Sequence, residues 1–126
     1  MSTIKERVKS FEDACKVLNR ETTIPDFSMT PEKDRRPLIA HYKLIVICEA
    51  LNEGWTPDWN NDKWDKFYPW FYMEGSSSSG RFSFVLSVNR RSGSLCGSRL
   101  CFKSEDLADY AGTQFEELYK EYFVID

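Results

Sequence analysis

A single histidine, His41, occurs in the 126 residues. Any serine–histidine or cysteine–histidine pair would have to use it, and no flanking motif supports one. It reads as an ordinary residue near the start of a predicted helix. The phosphate-cradling G-x-x-x-x-G-K-[ST] loop is missing, as are G-x-S-x-G and H-E-x-x-H. Carboxylates are plentiful, but none forms an isolated pair in an apolar setting of the kind acid–base chemistry uses. Cysteine is sparse. Cys15, Cys48, Cys96 and Cys101 include no C-x2-C pair, so a tetrahedral zinc site lacks its local geometry. Reduced, structural thiols are expected, with no metal and no cofactor.

Long apolar runs are lacking too. The longest reaches only from Leu44 to Cys48, far short of a membrane span. The opening Met1-Ser2-Thr3-Ile4-Lys5-Glu6 has no signal-peptide core, which leads to the expectation of a cytoplasmic protein. Basic charge is not in excess. The 17 Lys and Arg against 20 Asp and Glu leave a net charge of −3, which excludes a wholesale basic coat for duplex DNA.

What is present is a hydrophobic fraction of 41% and a charged fraction of 29%, in a length that suits one domain over 1–126. Thr3 and Glu6 have capping-box spacing, and Ile4, Val8, Phe11, Cys15 and Leu18 then recur on a helical period. One helix up to Asn19 is predicted. Residues 20–36 form a connector holding Pro25 and Pro31, and Pro37 is expected to open a second helix over 37–53. Its apolar positions are spread so widely that the helix belongs in the centre, and Gly54 follows as a stop.

Eight of the 19 aromatics, including every tryptophan, fall between Trp55 and Tyr72. A sugar platform, a base-stacking surface and a core are all open readings. The core is preferred because a small domain needs the buried area, with Trp59 or Trp64 left at a surface contact. Residues 66–73 read as a strand that Pro69 limits to an edge or to an irregular start. In the next strand Phe82, Phe84, Leu86 and Val88 alternate with Ser83, Val85 and Ser87, a mostly polar set, and are assigned to the inner face. A partner strand is predicted around 99–103, with Gly97 as a bend or bulge before it. Ser104 caps a last helix carrying Leu107, Ala111, Phe115, Leu118 and Tyr122, in which Gly112 implies close packing. The expected fold is α+β, order ααβββα, with an antiparallel sheet of about three strands under helices. Asp58-Trp59-Asn60-Asn61-Asp62 opens like a calcium loop. However, Lys63 and Pro69 stand where glycine and glutamate are needed, so a plain Asx turn is preferred.

Four segments carry a family resemblance: Leu44-Ile45-Val46-Ile47-Cys48-Glu49-Ala50-Leu51-Asn52-Glu53-Gly54-Trp55-Thr56-Pro57-Asp58-Trp59, then Tyr68-Pro69-Trp70-Phe71, then Gly97-Ser98-Arg99-Leu100-Cys101-Phe102-Lys103-Ser104, then Tyr110-Ala111-Gly112-Thr113-Gln114-Phe115-Glu116-Glu117-Leu118-Tyr119. Together they resemble a small-protein family of phages, prophages and mobile elements of gut Bacteroidetes. The serine loop over 76–79 has no counterpart there. The family has no assigned activity, so the resemblance implies a context, action inside a bacterial host, and no catalytic residue.

Charge is segregated along the chain. Residues 81–103 hold five basic side chains (Arg81, Arg90, Arg91, Arg99, Lys103) and no acidic one, whereas 104–126 hold seven acids and one base. The two surfaces either neutralise each other or face separate partners. The reading that follows is a non-enzymatic accessory protein that binds a host or phage protein or ribonucleoprotein, with counter-defence inhibition as a special case. Trp59, Trp64, Asp109, Glu116 and Glu117 would make the contact. The alternative is a small nucleic-acid-binding module in which Arg81, Arg90, Arg91, Arg99 and Lys103 meet phosphates. An enzyme would need a pocket gathering His41 or a cysteine with a carboxylate.

Overall fold

The computed structural model describes residues 3–60, 65–73, 82–90 and 96–125, the side chains of Val88 and Arg90 excepted. The fold is α+β. Among the described residues it has five helices and a two-stranded antiparallel sheet.

The expected first helix is two. The Thr3–Glu6 capping box forms, with Thr3 Oγ1 accepting from Glu6 N at 3.2 Å, and starts α1 (Ile4–Arg7). Ser10 then starts α2 (Phe11–Leu18) by accepting from Asp13 N at 3.1 Å, while Lys9 N donates to the Asp13 carboxylate at 3.0 Å. This second cap interrupts the helix at Val8 without disturbing its apolar stripe, since Val8, Phe11 and Cys15 are all buried. Asn19 ends α2 in the left-handed conformation at φ 57°.

The central helix α3 (Glu32–Asn52) begins five residues earlier than predicted and runs through Pro37. Its first turn is tied to the connector by Arg35, whose guanidinium donates to Thr30 O at 2.9 and 3.1 Å and to Ser28 O at 3.0 Å. That anchoring offsets the backbone bond that proline removes. The broad burial expected of α3 is present, with Ala40, Leu44, Ile47, Cys48 and Leu51 inaccessible or nearly so. Glu53 (φ 50°) and Gly54 (φ 88°) turn the chain out of the helix.

Strands β1 (Lys66–Tyr72) and β2 (Ser83–Arg90) pair antiparallel, Tyr68 opposite Val88 and Trp70 opposite Leu86. The register slips between Trp70 and Phe71, where Val85 is the extra residue on β2. The slip corrects the strand reading. Phe82 is buried and Phe84 packs inward as assigned, but Leu86 is turned to the outer face and is 51% exposed. A one-residue bulge reverses the alternation on its far side.

The third strand does not form among the described residues. Ser98–Leu100 is a 3-10 turn introduced by Gly97 at φ 75°, and one bridge joins Phe102 to Phe67 on the free edge of β1, through Phe67 N to Phe102 O at 3.0 Å and the reverse bond at 2.7 Å. Asn52, buried at the end of α3, has captured that backbone instead. Its Nδ2 donates to Cys101 O at 2.9 Å and its Oδ1 accepts from Lys103 N at 3.0 Å.

Helix α4 (Glu105–Gln114) is capped by Ser104 as expected, Ser104 Oγ accepting from Leu107 N at 3.2 Å, and breaks at Phe115 into α5 (Glu116–Phe123). Close packing at Gly112 is real. A Cβ there would collide with the Phe84 ring and stand 2.8 Å from Pro69 Cβ. The core is built from Phe11, Phe71, Phe82, Phe102, Phe115 and Tyr119 together with the aliphatic side of α3. Trp55 and Trp70, expected in the core, are not part of it, while Trp59 is one of the two rings left for the surface. Trp55 and Trp59 are half-buried and Trp70 is 45% exposed, because the turn after α3 and the outer face of β1 carry them to the rim. Trp64 lies outside the described residues.

Candidate docking face on the hairpin

The two faces of the β1–β2 pair differ sharply. Pro69, Phe71, Phe84 and Ser87 point to the helices. Phe84 and Pro69 abut Gly112, and Ser87 Oγ donates to Asp109 Oδ1 at 2.6 Å. Phe71 lies in an aromatic cluster with Phe82 at 4.7 Å and Tyr119 at 4.8 Å between ring centroids. Directly opposed residues share a face, so Trp70 and Leu86 point outward together, with Tyr72 two residues along from Trp70.

That outer face is roofed at one end and bare at the other. Lys66 is fully buried, with Nζ 5.2 Å from the centroid of the Trp59 ring, and Tyr68 is buried beside it in the strand. Trp59 is held by its indole N–H, which donates to Ser98 Oγ. Beyond Tyr68 the cover stops, and Trp70, Tyr72, Val85 and Leu86 are exposed at 45%, 39%, 47% and 51%. Met73 and Phe123 are each 38% exposed as well, but Phe123 packs on Phe71 and Phe82, on the side of the pair that faces the helices. A cluster of large exposed apolar side chains on a rigid sheet is the usual mark of an interaction surface.

The residues first nominated for a protein partner stand differently. Asp109 is taken up by Ser87, and Glu116 Oε2 accepts from the backbone N of Phe84 at 2.8 Å. Both acids therefore hold the hairpin against α4 and α5 and do not form a free acidic face. Asp106 pairs with Lys5 Nζ at 2.6 Å. Glu117 is exposed, and Trp59 serves as the roof over Lys66. Trp70 and Leu86 were missed. Pro69-Trp70-Phe71 reads as uniformly core-like, and nothing local announces the bulge at Val85 that turns Leu86 outward.

Of the basic set, only Arg99 and Lys103 have described side chains. Arg81 and Arg91 lie outside the described residues, as does the side chain of Arg90. Arg99 is exposed on the 3-10 turn and Lys103 Nζ is 3.2 Å from Glu53 Oε1. Their segment adjoins β1, on the side away from β2, because Asn52 holds it there.

His41 stacks on Tyr122, with centroids 4.4 Å apart and planes at 14°, and desolvation holds its pKa below the ordinary value. It shares a cavity wall with Cys96, and no carboxylate is among the described residues lining that cavity. Burial pushes the Cys48 thiol far up and the Cys101 thiol up to about 12, so both are protonated. Among the described residues no group of three or more His, Cys, Asp or Glu side chains is placed to hold a metal, and no helix is long and apolar enough to cross a membrane. Asp58 Oδ1 accepts from Asn60 N at 3.0 Å, the Asx turn preferred over a calcium loop. Comparison with protein-family models, with curated proteins and with solved structures returns no match to this chain.

Proposed function

We propose that this chain is a non-enzymatic binding protein of a phage or mobile element, acting inside a bacterial host, and that it docks a host or phage protein through the outer face of its hairpin. The observation that carries this reading is the bare end of that face, where Trp70 and Leu86 stand directly opposed and half-exposed. Large aromatic and aliphatic groups on a rigid support are what interface centres are made of, and tryptophan is prominent among energetic anchors. The internal bonds of Asp109 and Glu116 move the contact from the acidic helix to the strands. The mobile-element context rests on the family resemblance alone, and counter-defence inhibition is one form the activity would take.

The test is affinity capture from host cells in parallel nuclease-treated and untreated arms, using the wild-type chain, Trp70→Glu, Leu86→Asp and Glu117→Gln. One stoichiometric protein that survives nuclease, disappears with the two hairpin variants and persists with Glu117→Gln is the expected result. Loss of all binding on nuclease treatment would replace this reading with the nucleic-acid one. Retention by both hairpin variants would remove the hairpin as the contact.

A further inference from the structure

The turn that stands in place of the third strand is flanked by two thiols. Cys96 precedes Gly97, and Cys101 follows the 3-10 turn Ser98–Leu100. Leu100 N closes the turn by donating to Gly97 O at 3.4 Å. Carbonyls of a helical turn point the same way along its axis, toward its C-terminal end. The Cys96 thiol donates to Gly97 O and the Cys101 thiol to Ser98 O, each at 3.6 Å. Both sulfurs are therefore drawn to that one end. A 3-10 turn rises only about 2 Å per residue, so the chain between the two cysteines is pulled in well below its extended reach.

The thiols differ in access. Cys96 is half-buried, whereas Cys101 is inaccessible. Burial, and after it charge on Cys96, push the Cys101 thiol up, with the Lys66 ammonium opposing them. Charge on Cys96 also acts, again after burial, on Cys48. Cys96 thus neighbours both buried thiols. Cys101 shares its turn, while Cys48 is fixed within the 21 residues of α3, against Tyr119. Among the described residues no three such groups are placed to hold a metal.

We propose that Cys96 and Cys101 form a thiol–disulfide switch, in which hydrogen peroxide oxidises Cys96 to a sulfenic acid and Cys101 then closes on it to bridge the 97–100 turn. In the first step the Cys96 sulfur attacks a peroxide oxygen, the O–O bond breaks, and the departing hydroxide takes the thiol proton as water. In the second the Cys101 sulfur attacks the Cys96 sulfur, the S–O bond breaks, and the hydroxide leaves with the Cys101 proton. Two thiols and one peroxide give one disulfide and two waters. Each sulfur gives up one electron, and the pair reduces the peroxide. The bridge fixes the turn whose Ser98 Oγ accepts from the Trp59 indole, and so the cover over Lys66.

The experiment exposes the folded, fully reduced chain to hydrogen peroxide, followed by alkylation under denaturing conditions, tryptic digestion and mass spectrometry. Cleavage after Arg99 separates the cysteines, so the bridge joins peptide 92–99 to peptide 100–103. The expected product is a monomer lighter by about 2 Da, with that bridge, with Cys15 and Cys48 alkylated, and with full reversal by dithiothreitol. Cys101→Ser should stop at a Cys96 sulfenic acid that dimedone traps, and Cys96→Ser should oxidise at Cys101 at least about tenfold more slowly, since a buried thiol meets little oxidant. A main bridge to Cys48 or Cys15, a disulfide-linked dimer, Cys96 reacting no faster than Cys15, Cys96 consumed with Cys101 left reduced, or undiminished Cys101 oxidation in a folded Cys96→Ser would each overturn the switch.

Discussion

Glu116 and Glu117 are neighbours in the first turn of α5, yet they should respond very differently to truncation. Both sit where the helix dipole favours an acid, a contribution of about 0.3–1 kcal/mol each. Only Glu116 also accepts a backbone hydrogen bond, from Phe84 N across the hairpin interface. A hydrogen bond to a charged group contributes about 1.5–3 kcal/mol, and half-burial places this one at the lower end. Glu116→Ala should therefore cost roughly 2 kcal/mol and Glu117→Ala under about 1. Asp109→Ala, which removes the Ser87 bond, should cost about 1–2 kcal/mol. Urea unfolding gives these values directly if the m-value is unchanged. A chain of this length loses roughly 3–5 °C in Tm per kcal/mol. Glu116→Ala and Glu117→Ala falling within about 0.5 kcal/mol of each other, less than the bond is assigned, would refute the clamp. It would also return the acidic helix to the list of docking surfaces.

Three further outcomes are expected. Gly112→Val should destabilise by about 1–3 kcal/mol in spite of a better helix propensity, because the side chain would enter the Phe84–Pro69 contact; a neutral result by calorimetry would contradict that packing. Asn52→Leu should cost about 2–4 kcal/mol, since it orphans Cys101 O and Lys103 N together, and amide exchange at Lys103 should accelerate. His41, as the one imidazole in the chain, titrates alone in 1H NMR, and its midpoint should fall below the ordinary 6.5 because burial disfavours the charged ring. A depressed folded pKa means that the unfolded state binds the proton first. His41 thus leaves stability intact above about 6.5 and erodes it as pH falls through the folded value, a slope that His41→Gln should remove.

Local chemistry was legible. Thr3 with Glu6, Asn19, Ser104, Gly97 and the tight site at Gly112 all do what their residue types imply, because caps and left-handed stops are decided within a few residues. The Ser10–Asp13 cap was equally local and was overshadowed by the apolar stripe running through it, which persists across the break. What escaped was set by distant partners. Asn52 reaches 49 residues along the chain to Cys101 O and so diverts the segment expected to be a strand. The bulge at Val85 depends on how β2 meets β1, and it reverses the facing of Leu86. Charge counting found a basic stretch beside an acidic one but could not show that Asp109 and Glu116 are aimed at the hairpin backbone and Ser87. The tryptophans were misplaced for a related reason. Area arguments favour burying them, but the fold fills its centre with Phe, Tyr and the aliphatics of α3 and leaves the described tryptophans Trp55, Trp59 and Trp70 at the rim.

The most direct test of the hairpin as the contact surface is site-specific photo-crosslinking in host cells, with the reactive group placed in turn at Leu86, at Trp70 and at Glu117. The account predicts one discrete adduct to the same protein from positions 70 and 86 and none from 117. An adduct from 117 alone, or adducts to nucleic acid at every position, would contradict it.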